Sequence, residues 1–135
     1  MAANTAPIFS KQGKVQWGDI SAVNIAKDGT GTVIPVFTAG VDGSLLKKLL
    51  INAKGTNVAT VLRVWVNNGA TNATAANNTL IGSYTIAATT VSEIAALLIT
   101  EITFDIALPP LYVINITIGT AVAAGLHVAA VGGDY

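Results

Sequence analysis

The stretch from residue 57 to residue 86 reads strand, loop, strand, and it limits the folds open to the chain more than any other feature. Val58, Thr60, Leu62, Val64 and Val66 fall on one side of an extended segment, and Ala59, Val61, Arg63 and Trp65 fall on the other. That period of two is the mark of a strand with one face in a core. Its β-branched and aromatic residues suit a pleated surface. Asn67, Asn68 and Gly69 end the run, and an uncharged loop of Ala, Thr and Asn continues to Thr79. Leu80, Gly82, Tyr84 and Ile86 then open a second alternating strand.

The flanking sequence repeats the pattern. Residues 1–13 read as an irregular arm, interrupted by Pro7 and Gly13, with Ile8 and Phe9 as apolar anchors for a neighbouring chain. Residues 14–135 read as a single domain. Short strands are expected at 14–17 and 19–27, the latter ended by Asp28, Gly29 and Gly31, which favour a turn. A firmer strand is expected at 33–38, where Pro35 lacks a ladder donor and so belongs at an edge or a bulge. Residues 45–53 fit a short helix or a strand. The eleven residues between Gly43 and Gly55 favour a strand with Leu49, Ile51 and Ala53 inward. Residues 87–98 admit a short helix, since Thr90 and Glu93 have the spacing of a capping box, or a crossover between sheets, the reading preferred. Ile102, Phe104 and Ile106 point inward from a strand at 99–108, and strands at 111–118 and 123–131 complete the chain. About eight short strands with no βαβ alternation predict an all-β fold, an antiparallel β-sandwich wound as a jelly roll.

Charge narrows the function. Only 10% of residues are charged, against about 25% in an average soluble domain. Seven cations and seven anions cannot cover the surface of 135 residues. Either Thr, Asn and Ser solvate it, or much of it meets other subunits. The net charge of zero provides no broad field for nucleic acid or an anionic membrane. Residues 106–133 carry no Asp, Glu, Lys or Arg, but Pro109, Pro110, Gly119, Gly125, Gly132 and Gly133 break that run, and Ile114, Ile116 and Ile118 alternate with Asn115 and Thr117. Those are strand signals rather than a membrane helix. The first residues lack the basic start and apolar stretch of a signal peptide.

Catalytic chemistry is hard to assemble from these residues. There is no cysteine, and His127 is the only histidine, set in an apolar strand. A metal site and a thiol nucleophile are therefore not expected, and neither is a cofactor. Glu101 and Asp105 share a strand face but stand ~13 Å apart at strand rise, too far for a close acid/base pair. Asp28 and Asp42 precede glycines and are explained by turns. Phosphate-loop and nucleophile-elbow patterns do not occur. Val61, Arg63 and Trp65 share the strand face opposite the core, either as a cation stacked on an aromatic or as an interface patch. The five asparagines of residues 67–79 suit a partner-binding tip or a solvated loop equally well.

Several stretches resemble small structural proteins of tailed bacteriophages. They are Ala2 to Phe9, Lys27-Asp28-Gly29-Thr30-Gly31-Thr32, Gly55 to Arg63, Ala76 to Leu80, Thr117 to Gly125 and the closing Gly132-Gly133-Asp134-Tyr135. Members of that group often carry a glycine just before the tyrosine that follows their Leu-Pro; here the run is Leu108-Pro109-Pro110-Leu111-Tyr112. The resemblance implies a virion protein made in a bacterial host. Its partners are then its own copies, as a homo-oligomer expected to be a trimer, and the major capsid protein or tail proteins. A capsid decoration (cement) protein is the leading expectation, with Ile8, Phe9, Trp17, Val61, Arg63 and Trp65 as interface candidates. A tail or fibre component is the alternative. A carbohydrate-binding module, served by Trp17, Trp65 and Tyr135, is the alternative from another class.

Overall fold

A computed structural model of the chain describes residues 10–135. It is all-β. The strands are β1 (Gln12–Ile20), β2 (Ile34–Thr38), β3 (Ser44–Ala53), β4 (Thr60–Asn67), β5 (Asn78–Ile86), β6 (Thr100–Leu108), β7 (Val113–Ile118) and β8 (Leu126–Asp134). They form two four-stranded sheets, ordered β1-β8-β3-β6 and β2-β7-β4-β5, and every pairing is antiparallel. The pairs β4–β5, β3–β6, β2–β7 and β1–β8 nest inside one another, so the chain is one long hairpin folded over onto two sheets. The core lies between them. Leu46, Leu49, Ile51, Val128 and Ala130 enter it from the first sheet, and Leu62, Val64, Ile114, Ile116 and Ile118 from the second.

Irregularities of register set which side chains enter that core. Lys47 is an extra residue of β3 relative to β8, so Leu46 and Leu49 both face inward although they are three apart. Asp105, at φ 50°, is the extra residue of β6 opposite Lys47. Ile81 is the extra residue of β5. It packs against the core, whereas Leu80 is turned out to the solvent.

Other expectations are also corrected. β1 begins at Gln12, inside the expected arm, and runs without a break to Ile20. No strand occupies residues 21–27; that connection is held by Asn24, whose side-chain amide donates to the carbonyls of Thr30 (3.0 Å) and Thr32 (2.7 Å). Residues 87–99 form no helix. Asn57 precedes β4 and is buried among loops. It pairs with Thr89 through the main chain, donates from Nδ2 to Gly125 O (2.9 Å) and accepts from the Ala124 amide (2.9 Å). Pro35 sits both in an edge strand and at a bulge, as expected. Among the described residues no helix is long and apolar enough to cross a membrane.

Side chains close both open sides of the sandwich. Gln16 of β1 accepts from the Thr38 amide (2.7 Å) and Lys14 donates to the Thr38 carbonyl, which satisfies main-chain groups at the end of edge strand β2. On the other side Tyr84 of β5 meets Phe104 of β6 edge to face, with ring centroids 6.3 Å apart.

Candidate interaction sites

The expected interface residues do not form one patch. Ile8 and Phe9 lie outside the described residues. Trp17 belongs to the outer face of the β1-β8-β3-β6 sheet, and Val61, Arg63 and Trp65 to the outer face of the other sheet. The two tryptophans are therefore on opposite sides of the molecule.

Trp65 requires a correction. It does point away from the sandwich core, but it is only 2% exposed. Its indole Nε1 donates to Thr117 Oγ1 (3.0 Å), and Thr117, Asn115 and Asn67 on the same face are buried too. The cover comes from segments distant in sequence. Residues 21–33 and 68–77 meet over this face, where Asn72 Nδ2 donates to the carbonyls of Gly29 (3.2 Å) and Gly31 (2.7 Å), and Asn78 Nδ2 to that of Asp28 (3.2 Å). The remaining asparagines brace the same loop. Asn67 bonds Asn78 (2.9 Å), Asn68 bonds Asn77 (3.2 Å), and Asn77 donates to the Thr71 carbonyl (2.8 Å). These amides hold a lid over Trp65, so that indole is an internal anchor and not a contact for a partner. Arg63 is not stacked on it. A cation–π contact forms instead where Lys14 lies over Phe37, at 5.2 Å.

Val61 and Arg63 do come together, in a cleft of about 300 Å³ that they share with Thr60, Thr85, Gly119 and Thr120.

Among the described residues, the outer face of the first sheet is bare. Register places Trp17, Ala129 and Leu50 in one row across it, and Val15, Val131 and Lys48 in the next. Trp17 is 69% exposed. At one end of this face Asp19 accepts from Lys54 Nζ (3.1 Å) and from His127 Nδ1, so the lone histidine sits on an exposed rim, paired with a carboxylate. The hydrogen bond from Lys54, followed by the His127 charge, holds the Asp19 carboxyl below its ordinary value. Among the described residues no three His, Cys, Asp or Glu side chains converge as metal ligands would. Glu101 lies by Lys48 (3.6 Å).

The most exposed apolar side chains were not singled out in the sequence. In the β5–β6 connection Ile94 is 98% exposed and Leu98 93%, with Val91 and Ile99 also largely in water. The signal was the run Ile94 to Ile99, apolar throughout with neither a strand nor a helix period. Compared with known proteins, the chain matches no family model, no curated protein and no solved structure.

Proposed function

We propose that the chain is a structural protein of a tailed-phage virion, acting as an oligomeric capsid decoration protein. The observation that carries this reading is the exposure of Ile94 and Leu98 at the end of a rigid sandwich. Two aliphatic side chains of that size in water are each worth about 1.5–3 kcal/mol once buried, so this end gains by meeting another surface. Trp17 and Val15 on the bare face add a second apolar contact region, and the charge content of 10% leaves few groups to keep such surfaces apart. The nested antiparallel pairing of eight strands in a sandwich supports a jelly-roll reading, an architecture found in viral capsid domains. The resemblance of the terminal and loop segments to phage structural proteins gives the assembly its identity, and a trimer is the state we assign.

Quantitative mass spectrometry of purified virions tests the placement. Hundreds of copies per particle are expected of a decoration protein. A handful places the chain in the tail, and absence from the particle overturns the reading. Sedimentation equilibrium of the isolated protein tests the oligomer, which a 13.7 kDa species at all micromolar concentrations would refute.

A further inference from the structure

Arg63 is the chain's single arginine, and among the described residues its Nη1 is shielded from solvent without a hydrogen-bond partner. A buried charged donor left unpaired is costly, and a well-packed apolar residue at the same place would avoid the cost. The ion pairs among the described residues join Lys14, Lys48, Lys54 and His127 to acids, and none includes Arg63. The guanidinium lies against the bare Cα of Gly119: a Cβ there would stand 3.2 Å from Nη1 and 3.8 Å from Nη2.

The surroundings are built rather than accidental. The Gly119 amide donates to the Val61 carbonyl (3.0 Å). The Thr60 hydroxyl donates to the Thr120 carbonyl (2.9 Å) and accepts from the Thr120 amide (3.0 Å), which fixes the far wall. Thr85 stands opposite Val61 across the strand pair and lines the other side. Among the described residues no Asp or Glu lines this cleft, so it offers one forked cation beside Thr85 and Thr120 and lacks the anion that would complete it.

We propose that this cleft binds a carboxylate through Arg63. A guanidinium presents paired donors that match the two oxygens of a carboxylate. A single cation suits a monoanion, whereas a phosphate dianion would call for more positive charge than the lining holds. On entry the carboxylate draws the guanidinium off Gly119 and supplies the acceptor that Nη1 lacks. This inference is separate from the virion reading, since it concerns what the cleft takes and not where the chain works. The carboxylate is either a free small acid or a side chain of another polypeptide.

NMR titration of the full-length protein decides the matter. Sodium acetate probes the free acid and N-acetylglutamate amide the protein-borne one, with sodium chloride at equal ionic strength as control and inorganic phosphate as competitor class. Saturable shifts at the Arg63 Nε–Hε and at the Gly119 and Thr120 amides are expected with a carboxylate, and the tighter of the two probes names the source. Arg63→Met should weaken binding roughly ten- to a hundredfold. Because the wild-type titration needs no variant, a failure of Arg63→Met to fold does not rescue the idea. Shifts no larger than those in chloride, or shifts with phosphate alone, overturn it.

Discussion

Replacing Trp65 tests the internal lid directly. The indole is 2% exposed and its Nε1 bonds Thr117 Oγ1 at 3.0 Å, with Thr117 itself 1% exposed. Trp65→Ala removes a buried bicyclic ring and is expected to cost about 3–5 kcal/mol. Against a total stability of roughly 5–15 kcal/mol, that is a large share. Trp65→Phe keeps much of the ring but strands the Thr117 hydroxyl, at a cost of about 1–3 kcal/mol beyond the lost volume. Thr117→Val strands the indole N–H at a similar cost. The double variant loses the bond only once, so its destabilisation should fall short of the sum of the single ones by about 1 kcal/mol. Urea unfolding followed by circular dichroism measures all four proteins. A Trp17→Phe background leaves Trp65 as the only indole, whose emission should be blue-shifted and poorly quenched by acrylamide. A Trp65→Ala cost under about 1 kcal/mol, an additive cycle, or free quenching would refute the buried placement.

Leu111 holds φ at 64°, a conformation that costs a non-glycine residue about 1–2 kcal/mol, and its side chain is largely exposed. Leu111→Gly should therefore stabilise by up to about 1 kcal/mol after the extra chain entropy is counted, seen as a higher urea midpoint; a lower one counts against the strained turn. Asp134 is held below its ordinary value of 3.8 by the hydrogen bond from Ser44, aided by Lys14 at 3.1 Å. Its contribution is thus present above pH ~3.8 and lost as pH falls through the lowered value, so Asp134→Asn should be less stable than wild type at pH 6 and the gap should close near pH 2 in acid unfolding curves. Ile94→Ser with Leu98→Ser should leave the unfolding midpoint within about 0.5 kcal/mol of wild type while weakening self-association or particle binding, and a marked loss of stability would mean that the loop packs on the core.

The strands were legible because a two-residue period survives wherever a sheet has one buried face. Pro35 was legible for a local reason, its missing donor. The bulges had no such signal: a single extra residue reverses parity, as Ile81 does in β5 and Lys47 in β3, although Leu49, Ile51, Ile102, Phe104 and Ile106 still face inward as expected. Trp65 failed differently. Its parity was read correctly, but its burial depends on residues 21–33 and 68–77 meeting across the sheet through asparagine side chains, and no local pattern announces a lid assembled from two separate loops. Of the expected interface, Val61 and Arg63 stayed together, Trp17 stayed exposed, and Trp65 was withdrawn into the fold.

What remains available to a partner is unevenly distributed along the strands. One end of the sandwich is closed by its own contacts: Asp134 accepts from Ser44 and Lys14, the Ser44 hydroxyl accepts from the Gly40 amide (2.9 Å), and the Ala39 amide donates to the Tyr112 carbonyl (2.7 Å). The opposite end gathers the groups that the fold leaves unused. The β5–β6 connection carries Ile94 and Leu98 there, and the Arg63 cleft opens beside the β7–β8 connection on one sheet. The Asp19, Lys54 and His127 group stands at the same end of the other sheet. A partner approaching along the strand axis thus meets exposed aliphatic side chains, the Arg63 guanidinium and the Asp19 group paired with Lys54 and His127 at one end. Apolar burial would supply the affinity and the flanking charges the orientation, because exposed charges steer and register a contact more than they strengthen it. Ser10 lies beside Gly133 at the closed end, opposite the end that carries Ile94 and Leu98.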